Sequence, residues 1–259
     1  MIDRIKAQKA FQEYVKNYDP TDRKIALKIA HIERTSQVAK KIAESLNLEK
    51  EDIELAELIG LLHDIGRFEQ IKRYHTFADK DSMNHGEFGV KILFEEEKIR
   101  DYISTSKYDE IIRKAILNHN RKEIEKGLTD KELLHAKIIR DADKVDILYI
   151  MTFEKIETLY NKDDISNEKM TDKIYEEFME GKLVDYKKIQ SAADKVIAHF
   201  AYVYDFNFKY SLKYIYENQY LEKHYKRIVF SDKETMKKYE LIYETAKKYI
   251  EDKLREKED

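Results

Sequence analysis

Six glycines and one proline in 259 residues constrain this chain more than any other feature of its sequence. Average usage is about 7% Gly and 5% Pro, and sheets or sandwiches need such residues at turns roughly every 8–12 positions. Here the proline is Pro20, and the glycines are at 60, 66, 86, 89, 127 and 181. These are too few breakpoints for a chain of strands and turns, so an all-α fold follows. The length suffices for one large domain or two small ones with a buried core.

Charge and composition then remove several classes of function. Lys and Arg number 49 against 52 Asp and Glu, so the formal charge is only −3 although 39% of residues are charged. No broad basic field marks a nucleic-acid or anionic-membrane surface, and neither partner is expected. With 42% hydrophobic residues the chain lies outside the composition of disorder. It has no cysteine, which excludes disulfides, thiolate zinc sites, iron–sulfur clusters and cysteine nucleophiles. A reducing cytoplasm is the expected location. The first residues, MIDRIKAQKAFQEYVKNY, lack an apolar signal core, and no stretch approaches the roughly 18 apolar residues of a membrane span. A soluble, uncleaved chain is expected.

Periodicity places the helices. The first runs from about Ile2 to Asn17 and stops before Pro20, since a residue preceding proline is pushed out of helical geometry. Thr21 or Asp22 caps the second, whose stripe is Ile25, Ile29, Ile32, Val38, Ile42 and Leu46, with His31 beside it. The third, Asp52 to about Asp64, is apolar on so many sides that it must be central, and Gly66 reads as its C-terminal stop. Residues 67–84 lack a 3.6-residue period and read as a long loop, a common home for function. Helices resume near Glu87–Phe94, Tyr108–Leu117 and Lys131–Tyr160. The polar stretch 161–185 reads as a linker, and residues 189–203 form another amphipathic helix. A tyrosine-dense segment, 202–225, and a charged terminal helix follow, with no internal repeat. The expected division is residues 1–160 as one domain and 161–259 as a C-terminal helical extension packed on it.

Five positions stand out for chemistry: His31, the pair His63-Asp64, His85, His119, and Asp143 within RDADKVD. Each lies at an element end or on an apolar helix. Imidazole and carboxylate are the ligands expected for Mn, Fe, Zn, Ni or Mg, and a cysteine-free site must be built from them. Seven of the ten residues before His63-Asp64 are Leu, Ile or Ala, so a buried Asp64 needs a cation or hydrogen-bond donors. Each residue also has a plainer reading. A lone histidine on an apolar face is more often a satisfied core residue than a ligand, and Asp143 could pair with Arg140 or Lys144. What changes the balance is their coincidence in order and setting.

That ordered set, together with LLHDIGRFEQ at residues 61–70 and ADKVD at 142–146, resembles the HD-domain superfamily of metal-dependent phosphohydrolases over roughly residues 20–150. The resemblance implies an all-α HD-domain helical bundle, and makes Asp143 rather than Asp141 the acid ligand. His85 in NHGEFG and His119 in NHN resemble the additional ligands of members that hold two metals. It further implies one or two divalent transition metal ions (Mn, Fe, Ni, Zn or Mg): in the two-metal form, His31, His63 and Asp143 would hold one, His85 and His119 the other, and Asp64 would bridge them. A water activated between the ions would attack phosphorus. No GYP triplet follows the HD stretch, which disfavours a cyclic-di-GMP phosphodiesterase, and the synthetase and regulatory regions of long (p)ppGpp enzymes are missing.

Cations near such a centre would stabilise transition-state charge. Arg34, Arg67, Lys72, Arg73 and Lys144 are candidates, with Asp64, Arg67 and Lys144 as the catalytic set. Arg67, three residues after Asp64, sits where substrate would enter. In a chain this charged, each taken singly is more often a solvated surface residue, with Glu69 as a partner for Arg67. Phe68, Tyr74, Phe77 and Phe88 could stack on a base, although packing is the favoured role, as it is, with a dimer surface, for the tyrosine-dense segment. The expected activity is hydrolysis of a phosphoester in a nucleotide or other small phosphorylated metabolite, by a chain that could self-associate. Two rivals are a metal-bound regulatory module without turnover and a di-iron oxygenase of the same superfamily.

Overall fold

The computed structural model describes residues 2–256, which contain helices and no strand. No helix among them is long and apolar enough to cross a membrane. The chain divides into two compact units, Met1–Asp146 and Ile147–Asp259. In the first, α1 (Arg4–Val15), α2 (Arg23–Ser45), α3 (Lys50–Leu62), α4 (Gly66–Tyr74), α5 (His85–Val90), α6 (Ile99–Tyr102) and α7 (Asp109–His119) precede α8 (Asp130–Phe153), within which the division falls.

α3 is the axis of this unit, packed along α2 and against α1 and α7. Its Leu55, Ala56, Leu58, Ile59, Leu61 and Leu62 are all buried, as the apolar sequence requires. α2 starts at Asp22, whose carboxylate accepts a hydrogen bond from Lys24 N at 2.7 Å, a cap worth about 0.5–2 kcal/mol over alanine. α2 and α3 meet closely at Gly60, where a Cβ would stand 2.6 Å from Ser36 Cα. Ile25 and Ile32 of α2 and Phe11 of α1 complete the core with Phe68 and Ile71.

Phe68 and Ile71 overturn the long loop expected over 67–84. Residues 66–74 are helical, and a short 3-10 turn follows at Asp79–Asp81. Ile65, Phe68 and Ile71 recur every third residue and are buried. Phe68 meets Phe11, Tyr14 and Tyr18 edge-on or tilted at centroid distances of 6.1, 5.9 and 5.2 Å. Nor does Gly66 stop a helix; it opens α4. A Cβ there would lie 2.5 Å from His85 O and 2.6 Å from Gly89 N, so glycine is required by the close approach of α5. Both Phe68 and Phe88 are core residues, 0% and 2% exposed.

The second unit continues with α9 (Ile156–Tyr160), α10 (Asp172–Met179), α11 (Ala192–Phe200), α12 (Lys209–Glu217), α13 (Tyr220–Lys226) and α14 (Lys233–Arg255). The single helix expected over 131–160 is broken at Lys155, which is extended (φ −64°, ψ 143°). The expected linker over 161–185 contains α10: Met170, Ile174 and Phe178 recur every fourth residue and are buried, with Ile165 and Val184 to either side. α14 packs Tyr239, Ile242, Tyr243, Ala246 and Ile250 toward α10, α11, α12 and α13. The tyrosine-dense segment contributes to this packing, with Tyr220 buried and Tyr225 stacked on Tyr243 at 4.4 Å.

Candidate metal centre

The residues singled out in the sequence come from five places in the first unit. His31 lies mid-way along α2 on its buried face, His63 caps the C-terminus of α3, and Asp64 follows in the turn to α4. His85 is the first residue of α5, whose N-cap Asn84 accepts from Glu87 N at 3.1 Å, and His119 is the last residue of α7. Asp143 is on α8.

Every imidazole is held by its Nδ1, so that its Nε2 faces the centre. The Nδ1–H of His63 donates to Gly60 O (2.8 Å) and that of His119 to Ile116 O (2.6 Å). Carbonyls only accept, which places a proton on each Nδ1, and in the neutral ring the lone pair is then on Nε2. His31 Nδ1 is 2.7 Å from Asp146 Oδ2, and His85 Nδ1 is 2.7 Å from Asp79 Oδ2. Asp146 is in turn gripped by Arg34 through Nε (2.5 Å) and Nη2 (3.0 Å).

The Nε2 atoms converge in two groups that share Asp64. In the first, His31 Nε2 is 3.5 Å and His63 Nε2 3.8 Å from Asp64 Oδ2, and Asp143 Oδ1 is 3.2 and 3.6 Å from the same two nitrogens. In the second, Asp64 Oδ1 is 3.5 Å from His85 Nε2 and 3.7 Å from His119 Nε2, and those two nitrogens are 3.0 Å apart. Both His–Asp triads, His31/His63/Asp64 and Asp64/His85/His119, have ligand atoms close enough together to hold an ion.

Their electrostatics fit a cation. Burial, reinforced by the Arg67 guanidinium, pulls the His85 imidazole down to about 4, so it is neutral. With its Nδ1–H directed at Asp79, His85 presents a lone pair on Nε2 to the lone pair of His119. Asp64 Oδ1 joins them, buried and without a hydrogen-bond partner. Three lone pairs meeting out of water repel unless positive charge lies beside them; the Arg67 guanidinium, 3.3 Å from His85 Nε2, supplies part of it and a bound cation would supply more. Burial would raise the Asp64 carboxyl, yet Lys28, His63, His119 and His31 together hold it well below the usual carboxylate range. Asp143 is held low in the same way by His31 and His63. Burial also lowers His63 despite Asp64 and Asp143, whereas in His31 burial and Lys28, which lower it, are outweighed by the three carboxylates Asp143, Asp146 and Asp64, which raise the imidazole to about 10.

Arg67 is part of the centre. Its Nε is 3.6 Å from Asp64 Oδ1 and its Nη2 is 3.3 Å from His85 Nε2, while Nη1 donates to Gln70 Oε1, Phe77 O and Asp79 Oδ1 at 2.6–2.9 Å. Its carboxylate partners are therefore Asp79 and Asp64; Glu69 pairs with Arg73 (2.6 Å) and Lys72 (3.7 Å) on the surface. Asp143 meets His31 and His63, and Arg140 binds the carbonyls of Asn118, Arg121 and Lys122. Lys144 is buried and belongs to neither triad. Three contributing residues escaped the sequence reading: Lys28, Asp79 and Asp146.

Fold and cluster thus define an all-α protein with a histidine–aspartate centre that could bind metal ions. Residues 29–148 match the family model of the HD domain. Over these residues the chain carries an HD domain. Comparison with curated proteins and with solved structures finds no match.

Proposed function

We propose that the protein is a metal-dependent phosphohydrolase that cleaves a phosphoester in a nucleotide or other small phosphorylated metabolite. The observation that carries this reading is the sharing of Asp64, one oxygen facing His31 and His63, the other facing His85 and His119. His31, His63, Asp143 and Asp64 Oδ2 would hold one divalent ion, and His85, His119 and Asp64 Oδ1 a second. Such ions supply a water acidified toward neutrality and positive charge for the non-bridging oxygens of a phosphate.

The chain's own residues prepare that chemistry. Asp146, Gly60 O, Asp79 and Ile116 O hold the Nδ1 side of the four rings and so fix their orientation, so little reorientation is needed when an ion or substrate arrives. Arg67 contributes a fixed guanidinium at the edge of the second triad, suited to charge that develops on a transferring phosphoryl group. Lys144, next to Asp143, is the further cation of the catalytic set, and residues 1–160 carry the chemistry. The test is a screen of Mn2+-reconstituted protein against nucleotides, dinucleoside polyphosphates and cyclic nucleotides. Metal-dependent release of phosphate or nucleotide that disappears in Asp64→Ala is the expected result. Full metal loading with no turnover on any phosphoester would instead favour a regulatory, metal-bound module.

A further inference from the structure

Lys28 is one turn before His31 on α2, and its Nζ lies 2.6 Å from Asp64 Oδ2. An ammonium has three N–H donors, and among the described residues Asp64 is its one hydrogen-bond partner. Two donors are thus uncommitted on a side chain that is 19% exposed, where a ligand can reach them. The Lys28 ammonium and the Arg67 guanidinium also rest on the same ring, that of half-buried Phe77, at 5.8 and 5.7 Å from its centroid. Phe77 therefore holds two cations beside the two oxygens of Asp64, Lys28 at Oδ2 and Arg67 at Oδ1.

We propose that Lys28 is a substrate-binding residue which, together with Arg67, grips the phosphate of a phosphomonoester. The inference rests on the phosphohydrolase reading above and narrows it. Two cations on neighbouring positions match a terminal phosphate, which carries nearly two negative charges near neutral pH, better than a diester with one. The carboxylate of Asp64 fixes the ammonium while its remaining donors take phosphate oxygens. No bond is made or broken by Lys28, which acts as a fixed charge.

The experiment measures inorganic phosphate binding to the Mn2+-loaded protein by calorimetry, in wild type, Lys28→Met and Lys28→Arg, with Mn2+ bound per chain determined alongside. Methionine keeps the stem against Phe77; if that variant does not fold, Lys28→Gln takes its place. Phosphate affinity should fall about 10- to 100-fold in Lys28→Met, the loss of a charge-assisted contact, and recover in part in Lys28→Arg. Mn2+ content should not change. Wild-type phosphate affinity in Lys28→Met, or a loss of Mn2+ that accounts for the weaker binding, overturns the assignment of Lys28 and leaves the phosphohydrolase reading standing. Failure of the loaded wild type to bind phosphate at all overturns both.

Discussion

Asp146 touches neither group of converging ligand atoms, yet its replacement by asparagine should weaken the first ion. Its carboxylate takes the Nδ1–H of His31 at 2.7 Å and two bonds from Arg34, and it is 2% exposed. Asparagine keeps the shape and removes the charge, turning a charge-assisted hydrogen bond worth about 1.5–3 kcal/mol into a neutral one of about half that strength. The amide can also present its NH2 to His31 and favour the wrong tautomer. Losses of this kind in groups that orient a metal-bound histidine run to about 10- to 100-fold in affinity, or about 1.4–2.7 kcal/mol. Titration of Mn2+ into the metal-free variant should show one site weakened by that factor. The second site, whose histidines are held by Asp79 and Ile116 O, should be unaffected, and a melting curve checks the fold. Two sites of wild-type affinity would refute the argument that Asp146 orients the His31 ring.

Three further outcomes are expected. Gly66→Ala should destabilise the protein and weaken the second ion, because the new Cβ meets the backbone of His85 and Gly89; wild-type melting and Mn2+ stoichiometry would contradict this. Arg67→Ala should lower kcat/KM about 10- to 150-fold on the best phosphoester found, with only partial recovery in Arg67→Lys, because lysine lacks the planar fork; unchanged kinetics would remove Arg67 from the reaction. In the second unit, burial and then Lys195 depress His199 to about 3 from 6.5. The unfolded chain then binds the extra proton, so this contribution to stability is present above pH 6.5 and is lost as the pH falls from 6.5 toward 3, by about 2 kcal/mol at pH 5. Denaturant unfolding of wild type and His199→Leu between pH 5 and 8 should give a shallower pH dependence for the variant; equal slopes would be the contrary result.

The six candidate ligands were legible in the sequence only as an ordered set, His31, His63-Asp64, His85, His119 and Asp143, whose order and flanking LLHDIGRFEQ and ADKVD resemble the HD domain; singly, each histidine reads as a core residue and Asp143 as half of an ion pair. Their partners were less so. Lys28 is one of many lysines on α2, and nothing in its spacing separates it from Lys24 or Lys40. Asp146 stands three residues after Asp143 and so on the same face of α8, a signal that the emphasis on a single closing acid obscured. Asp79 lies in a segment without periodicity, brought to His85 only by the tertiary fold. The helix at 66–74 was hidden by its glycine, since Gly at a helix boundary serves equally as a terminator and as a point of close approach. Its charged face, Arg67, Glu69, Lys72 and Arg73, also masked the Phe68–Ile71 spacing. The linker reading of 161–185 failed for a related reason, because acidic and basic neighbours diluted a visible four-residue repeat.

The central claim is that one carboxylate, Asp64, organises two ions. Crystals of the protein loaded with Mn2+ and measured at the manganese absorption edge test it most directly. Two anomalous peaks are predicted, one bounded by His31, His63 and Asp143, the other by His85 and His119, with an oxygen of Asp64 on each. Peaks elsewhere, or a single ion that leaves one oxygen of Asp64 facing unligated histidines, would contradict the account.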